Sequence, residues 1–171
     1  MSFQEILNDK AFKPKEKTEA LSQLVLGSPR IMDELISFAM ISNDPIKATV
    51  IESFEFATKL KPEIASKSML HFVSQALTEK APRVKWESAK VIGNIAHLYP
   101  QLLEEAIKNL LINTKHSGTV VRWSAAFALS QIIKLKRSIN KELIPAIETI
   151  CEREEKNSIK KIYLDGLKKS K

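Results

Sequence analysis

A chain of 171 residues, 44 % hydrophobic and 27 % charged, has the composition of an ordinary folded protein. It is long enough to bury roughly 70 % of its unfolded surface, which excludes wholesale disorder. The net charge of +7 accumulates towards the C-terminus, from slightly acidic over residues 1–50 to strongly basic over the last 21. One cysteine, Cys151, excludes an intramolecular disulfide and reads as a small buried apolar side chain.

Four glycines and the absence of alternating β-branched runs bounded by turn residues point to helices throughout. Ser2 and Glu5 have the spacing of a capping box and predict a first helix over 3–11. Pro14, Pro29, Pro45, Pro62, Pro82 and Pro100 each precede an apolar pattern of period three to four. Proline is tolerated in a first helical turn, where its missing N–H has no partner to lose. These prolines predict helices over 14–26, 30–42, 45–59, 63–79, 82–98 and 101–114. Gly118 breaks the chain before a helix over 119–135, Asn140 is expected to cap one over 140–155, and a last runs over 157–169.

The second helices of successive pairs superpose. Ile46-Lys47-Ala48, Val84-Lys85-Trp86, Val121-Arg122-Trp123 and Ile159-Lys160-Lys161 recur at offsets of 38, 37 and 38 residues. Phe54, Ile92 and Leu129 then align, as do Ala57, Ile95 and Ile132. One helix pair cannot bury both apolar faces alone, so pairs over 3–26, 30–59, 63–98, 101–135 and 140–169 are expected to stack as a single domain spanning 1–171. The short first pair and the thin apolar stripe of Ile159, Ile162, Tyr163 and Leu167 in the last suit end caps.

The segment VVRWSAAFALSQI from Val120 resembles the second helix of a HEAT repeat, an apolar residue and a base followed by small and apolar residues. Glu142-Leu143-Ile144-Pro145-Ala146-Ile147 is similar to the family's first helix, which often carries a proline in its first turns. The resemblance to HEAT-repeat, armadillo-like proteins implies a right-handed α-solenoid of about five antiparallel helix pairs. It also implies roles in scaffolding and macromolecular recognition. The family's aspartate before the second helix is matched only by Asp44.

Chemistry is sparse. Gly27, Gly93, Gly118 and Gly166 are too far apart for a phosphate-cradling loop, and His71, His97 and His116 lack a second ligand at helical spacing. No cofactor or metal is expected. No aspartate lies between Asp44 and Asp165, and most of Glu52, Glu55, Glu87, Glu104 and Glu105 sit at positions reading as solvated helix faces, so catalysis is not expected. The alkylpurine DNA glycosylases built from HEAT-like repeats combine aromatics with an aspartate on the concave face. Trp86 and Trp123 are followed here by Glu87 and Ser124, and both tryptophans read as fillers of inter-repeat seams.

Three rows fall off the apolar stripe of the second helices: Glu52, Lys90 and Phe127; Phe56, Asn94 and Gln131; Lys59, His97 and Lys134. From them Lys90, Asn94, His97, Phe127, Gln131 and Lys134 are taken as a concave protein-binding face for an acidic or helical segment. Lys47, Lys85, Arg122 and Lys160 are read as structural, pairing with carboxylates or helix C-termini of adjacent repeats. An alternative assigns nucleic-acid binding to Trp86 and Trp123 with Lys136, Arg137 and Lys141. No window approaches 18 uncharged apolar residues and the N-terminus lacks a signal-peptide pattern. A cytoplasmic monomer or weak homo-oligomer without a membrane segment is expected.

Overall fold

The computed structural model describes residues 1–171 and contains ten α-helices and no strand. They are α1 (Phe3–Asn8), α2 (Pro14–Gly27), α3 (Met32–Met40), α4 (Asp44–Leu60), α5 (Lys67–Ala76), α6 (Pro82–Ile95), α7 (Glu104–Asn113), α8 (Thr119–Ile133), α9 (Asn140–Arg153) and α10 (Asn157–Lys169). No helix is long and apolar enough to cross a membrane.

Local chemistry explains most of the starts. Ser2 Oγ accepts from the Glu5 amide at 3.2 Å while Glu5 Oε2 accepts from the Ser2 amide at 2.6 Å, completing the capping box of α1. Pro14, Pro45 and Pro82 occupy the first turns of α2, α4 and α6. Pro29 and Pro62 instead open short 3-10 turns ahead of α3 and α5, and Ser66 caps α5 by accepting from the Met69 amide at 3.1 Å. Pro100 lies in a turn, with α7 beginning only at Glu104. Asn140 does not cap α9: it is already inside the helix, and its Nδ2 donates to the Ile133 carbonyl at 2.8 Å, closing the end of α8. Lys136 takes a left-handed backbone, φ 55°, where the chain leaves α8.

Helices α2, α4, α6, α8 and α10 pack each upon the next as one layer, and the odd-numbered helices cover its other side. Small residues permit the close approach. A Cβ on Gly93 of α6 would run into the Phe127 ring of α8, and one on Gly166 of α10 would stand 3.0 Å from Ser130 Cα. One continuous cluster of 43 buried apolar residues runs from Phe3 to Tyr163, so the apolar faces of all five pairs feed a single core. At one end Phe3 meets Phe38 edge-on, and at the other Ile159 and Tyr163 are buried while Leu164 is exposed. Cys151 is buried.

The repeated bases tie adjacent elements together. Lys47 Nζ pairs with Glu79 Oε1 at 2.7 Å, just past the end of α5. Lys85 Nζ donates to the Leu77 carbonyl at 2.9 Å and to Asn113 Oδ1 at 3.2 Å. Arg122 reaches Glu154 at 3.1 Å and the His116 and Ser117 carbonyls at 3.1 Å each. In an antiparallel pair the start of the second helix lies beside the end of the first, where unsatisfied carbonyls and the negative pole of the helix dipole favour a cation. Burial, with no carboxylate opposite, holds the Lys85 ammonium below the usual lysine range. Lys160, in the last pair, makes no such bond.

The outer layer is less uniform. Asn109 Nδ2 donates to the Ser74 carbonyl at 2.9 Å and Asn113 Nδ2 to the Leu77 carbonyl at 3.1 Å, lacing α7 to α5. Between α7 and α9, which hardly touch, lies a cleft of about 660 Å³ lined in part by Leu103, Ile107, Leu111 and Ile139.

Candidate functional site

The repeat brings unlike side chains to like places on α4, α6 and α8. Trp123 follows the repeated base of α8 and is 38 % exposed, and Phe127 sits one turn further along the same face. Their rings stack at a centroid distance of 6.0 Å, 9° from parallel, and the Phe127 ring covers Gly93 of α6. Trp86, one repeat earlier, is half-buried and donates Nε1–H to Glu87 Oε1 at 2.8 Å. Neither tryptophan is sealed into the core: Trp86 is half-buried, and Trp123 lies over the Phe127 ring at the contact between α6 and α8.

Beside these rings lies a charge cluster. Lys90 Nζ stands 3.5 Å from Glu87 Oε2 and 3.9 Å from Glu55 Oε1. Arg83 pairs with Glu52, whose Oε2 also accepts from Thr18 Oγ1 at 3.4 Å. Glu55 and Glu87 are only 6 % and 5 % exposed, which corrects their reading as solvated faces. The close approach of α4 and α6 encloses positions that would be open on an isolated helix. Burial pushes the Glu87 carboxyl up from its ordinary value; Lys90 pulls it down, Glu52 adds to the rise, and the Trp86 N–H opposes it.

The six residues expected to bind protein fall on the second-helix layer in two groups. Lys90, Asn94, Phe127 and Gln131 lie within α6 and α8 and are half-buried. Asn94 is partly engaged, its Nδ2 donating to the Glu55 carbonyl at 3.2 Å and to Thr58 Oγ1 at 3.1 Å across to α4. His97 and Lys134 mark the edge where these helices end; His97 is exposed, and Lys134 pairs at 3.1 Å with Asp165, which also holds Lys169 at 3.0 Å. Those two lysines keep the exposed Asp165 carboxyl below its ordinary value.

The nucleic-acid set does not converge. Trp123 sits near the start of α8, while Lys136, Arg137 and Lys141 lie beyond its end. Thirteen residues of rise separate Trp123 from Lys136, about 20 Å along the helix axis. Among the residues that sequence reasoning missed, Glu55, Glu87 and Arg83 are the most consequential. Their only signal was opposite charge at helical spacing, as in Glu87 and Lys90 at i and i+3.

No protein-family model and no curated protein matches the chain. Solved structures do. A designed armadillo repeat protein in complex with the peptide (KR)4 superposes with a TM-score of 0.75 at 14 % identity, covering 99 % of this chain and 80 % of that one. The complex of CpcE and CpcF of phycocyanin lyase from Nostoc sp. PCC7120 gives 0.74 at 17 % identity, covering 95 % of each chain. A computationally designed armadillo repeat protein for modular peptide recognition gives 0.71 at 14 % identity, with 98 % and 80 % covered. At such identities the likeness speaks to fold, and it agrees with the ten stacked helices: the chain has the HEAT/armadillo-like α-solenoid fold.

Proposed function

We propose that the chain is a non-catalytic recognition scaffold whose concave second-helix face, centred on Trp123, Phe127, Lys90, Asn94 and Gln131, binds a segment of a protein partner. The observation that carries this is the stacked Trp123–Phe127 pair, left partly open on the second-helix layer while Phe54, Ile92 and Leu129 of that layer are buried. Rigid aromatics bring large contact area at little entropic cost and dominate many protein interfaces. Similar solenoids that hold a peptide or a second subunit add support. His97, Lys136 and Arg137, exposed along the helix-end edge beside the Asp165-paired Lys134, suit acidic residues of that segment, in a helical or extended form. A cytoplasmic setting, with Cys151 reduced, belongs to the same proposal.

Capture of partners on immobilised protein tests it. Partners held by the wild type should be lost from the Trp123→Ala/Phe127→Ala double variant and kept by Ile112→Ala, which alters an exposed residue of α7. Equal capture by all three proteins counts against the face.

A nucleic-acid reading draws on the exposed Lys136, Arg137 and Lys141 alone. Because the tryptophans are remote, it implies phosphate contact without base stacking, with affinity falling steeply with salt. Absence of any mobility shift of duplex or single strand at low salt removes it.

A further inference from the structure

Where the turn between α7 and α8 meets the end of α9 lies a cleft of about 440 Å³ lined only by polar and charged side chains. The repeat makes this turn unlike its counterparts. Glu79 and Glu154 stand six residues ahead of the repeated bases Lys85 and Lys160, and His116 holds that place ahead of Arg122. The ring does the carboxylate's local work: His116 Nδ1 accepts from the Gly118 amide at 2.8 Å, as Glu154 Oε1 accepts from the Lys156 amide at 3.1 Å. It brings no negative charge, and no acidic residue lies between Glu105 and Glu142.

Arg122 and Glu154 spend their charges on each other, and Arg122 also covers the His116 and Ser117 carbonyls. What remains in the cleft is Lys115 and Arg153 against the exposed Glu155, with no ion pair among them. Arg153 is nevertheless held in place. Its Nη2 donates to Thr114 Oγ1 at 2.8 Å, and that hydroxyl, on a residue 3 % exposed, gives its own proton to the Leu111 carbonyl at 2.7 Å. A guanidinium fixed by a neutral oxygen keeps its charge and most of its N–H donors. With Nδ1 occupied, the His116 ring carries its proton on Nε2, a further donor. Gly118 opens α8 without a side-chain cap, so the positive pole of that helix stands unmasked beside the cleft.

We infer that this cleft is an anion site that takes a phosphate group, as the free ion or as a monoester, with Arg153 and Lys115 supplying the charge and His116 a directional N–H. The site stands apart from the recognition face and does not depend on it. A guanidinium offers phosphate a planar fork, and an ammonium beside it acts as a point charge. A phosphate monoester carries about −1.5 to −2 charges at pH 7, enough to offset both unpaired cations. Carboxylates and phosphodiesters bring a single charge and offset them only in part. Glu155 opposes any anion here, which provides a test of opposite sign.

The full chain, isotope-labelled for NMR, is titrated with inorganic phosphate and separately with O-phosphoserine, the ionic strength held constant with chloride. Signals of the Gly118 amide and the Arg153 Nε–H are expected to shift saturably. Arg153→Gln should weaken binding about tenfold and Lys115→Gln severalfold. Glu155→Gln should tighten it severalfold, a gain that misfolding cannot imitate. Arg137→Gln, an exposed base at the opposite edge, should leave it unchanged. Tighter binding of O-phosphoserine than of inorganic phosphate assigns the site to esters, and the reverse to the free ion; either upholds it. Shifts that chloride alone reproduces, equal weakening by Arg153→Gln and Arg137→Gln, or weaker binding in Glu155→Gln overturn the site. So does a DNA duplex that displaces O-phosphoserine at equal phosphate concentration, which would make the cleft a contact for a nucleic-acid backbone.

Discussion

The two edges of the second-helix layer carry the same kind of residue for different purposes. At the edge where these helices begin, Lys47, Lys85 and Arg122 reach carboxylates and carbonyls at the ends of first helices. At the edge where they end, Lys59, His97, Lys136 and Arg137 are exposed and form no ion pair, while Lys134 pairs with Asp165. Antiparallel pairing explains the difference: a base at the start of a second helix meets the negative pole of its neighbour, and a base at the end faces water. The net charge of +7 is therefore no single patch. Much of the positive charge at one edge is structural, and the other edge stays open to water.

The largest expected effect comes from breaking the first edge. Arg122→Ala leaves Glu154, 6 % exposed, without its guanidinium, and two carbonyls of the turn between α7 and α8 without that donor. A loss of about 2–3 kcal/mol is expected in urea unfolding, short of the full cost of a deeply buried pair because Arg122 keeps some contact with water. Burial alone would raise the Glu154 carboxyl, but the Lys156 amide and Arg122 outweigh it and hold it below its ordinary value. Its stabilisation is thus present above the unfolded carboxylate pKa and lost as pH falls through the lower folded one. The acid-side slope of stability should flatten in Arg122→Ala; a loss below ~0.5 kcal/mol would make the helix-start edge no more structural than an ordinary surface.

Between the edges, glycine sets the spacing. Gly166→Ala brings a Cβ against Ser130 of α8, including its backbone, and should cost about 1–3 kcal/mol and loosen α10. Gly93→Ala meets only the Phe127 ring, which can swing away, so it should cost less while disturbing the stack on Trp123. Near-UV circular dichroism and tryptophan emission would register the change. An unperturbed spectrum in Gly93→Ala would mean that Phe127 does not rest where the structure has it.

Glu87 acts in the opposite sense to Glu154. Its folded carboxyl is raised, chiefly by burial, so whatever stability it contributes is full below the unfolded pKa and declines as pH rises towards the folded value. Glu87→Gln keeps an acceptor for the Trp86 N–H and removes the charge, so the variant should gain on the wild type as pH climbs from 4 to 7. Thermal melts across that range should show the difference between the two proteins growing with pH. A constant difference would mean that Glu87 is solvated after all.

Helix number was legible because its signals act within one turn: Pro14, Pro45 and Pro82 start helices by chemistry that needs no neighbour. Pro100 and Asn140 misled because the deciding partner is elsewhere; the Asn140 amide is taken by a carbonyl at the end of α8. The same distinction runs through the candidate site. Trp86 and Trp123 stand out by their repeated position, whereas the burial of Glu55 and Glu87 depends on how closely α4 and α6 approach. Asn94 looked available on its own helix and spends its N–H groups on α4. Periodicity reports which face a residue occupies; it does not report what the next repeat has already claimed.

The smallest effect on stability and the most selective effect on binding belong to the second edge. Lys136→Ala and Arg137→Ala remove exposed charges that make no ion pair, so unfolding free energy should change by no more than about 0.5 kcal/mol. Lys136 adopts a left-handed backbone, so Lys136→Gly is the cleaner probe there, tolerating φ 55° without a Cβ. Retention on a heparin column should fall in these variants and stay unchanged in Lys47→Gln, whose charge is already paired with Glu79. If Lys47→Gln lowers retention as much as Arg137→Ala, the ion pairs of the helix-start edge leave their charge available to a polyanion, and the division of labour between the two edges fails.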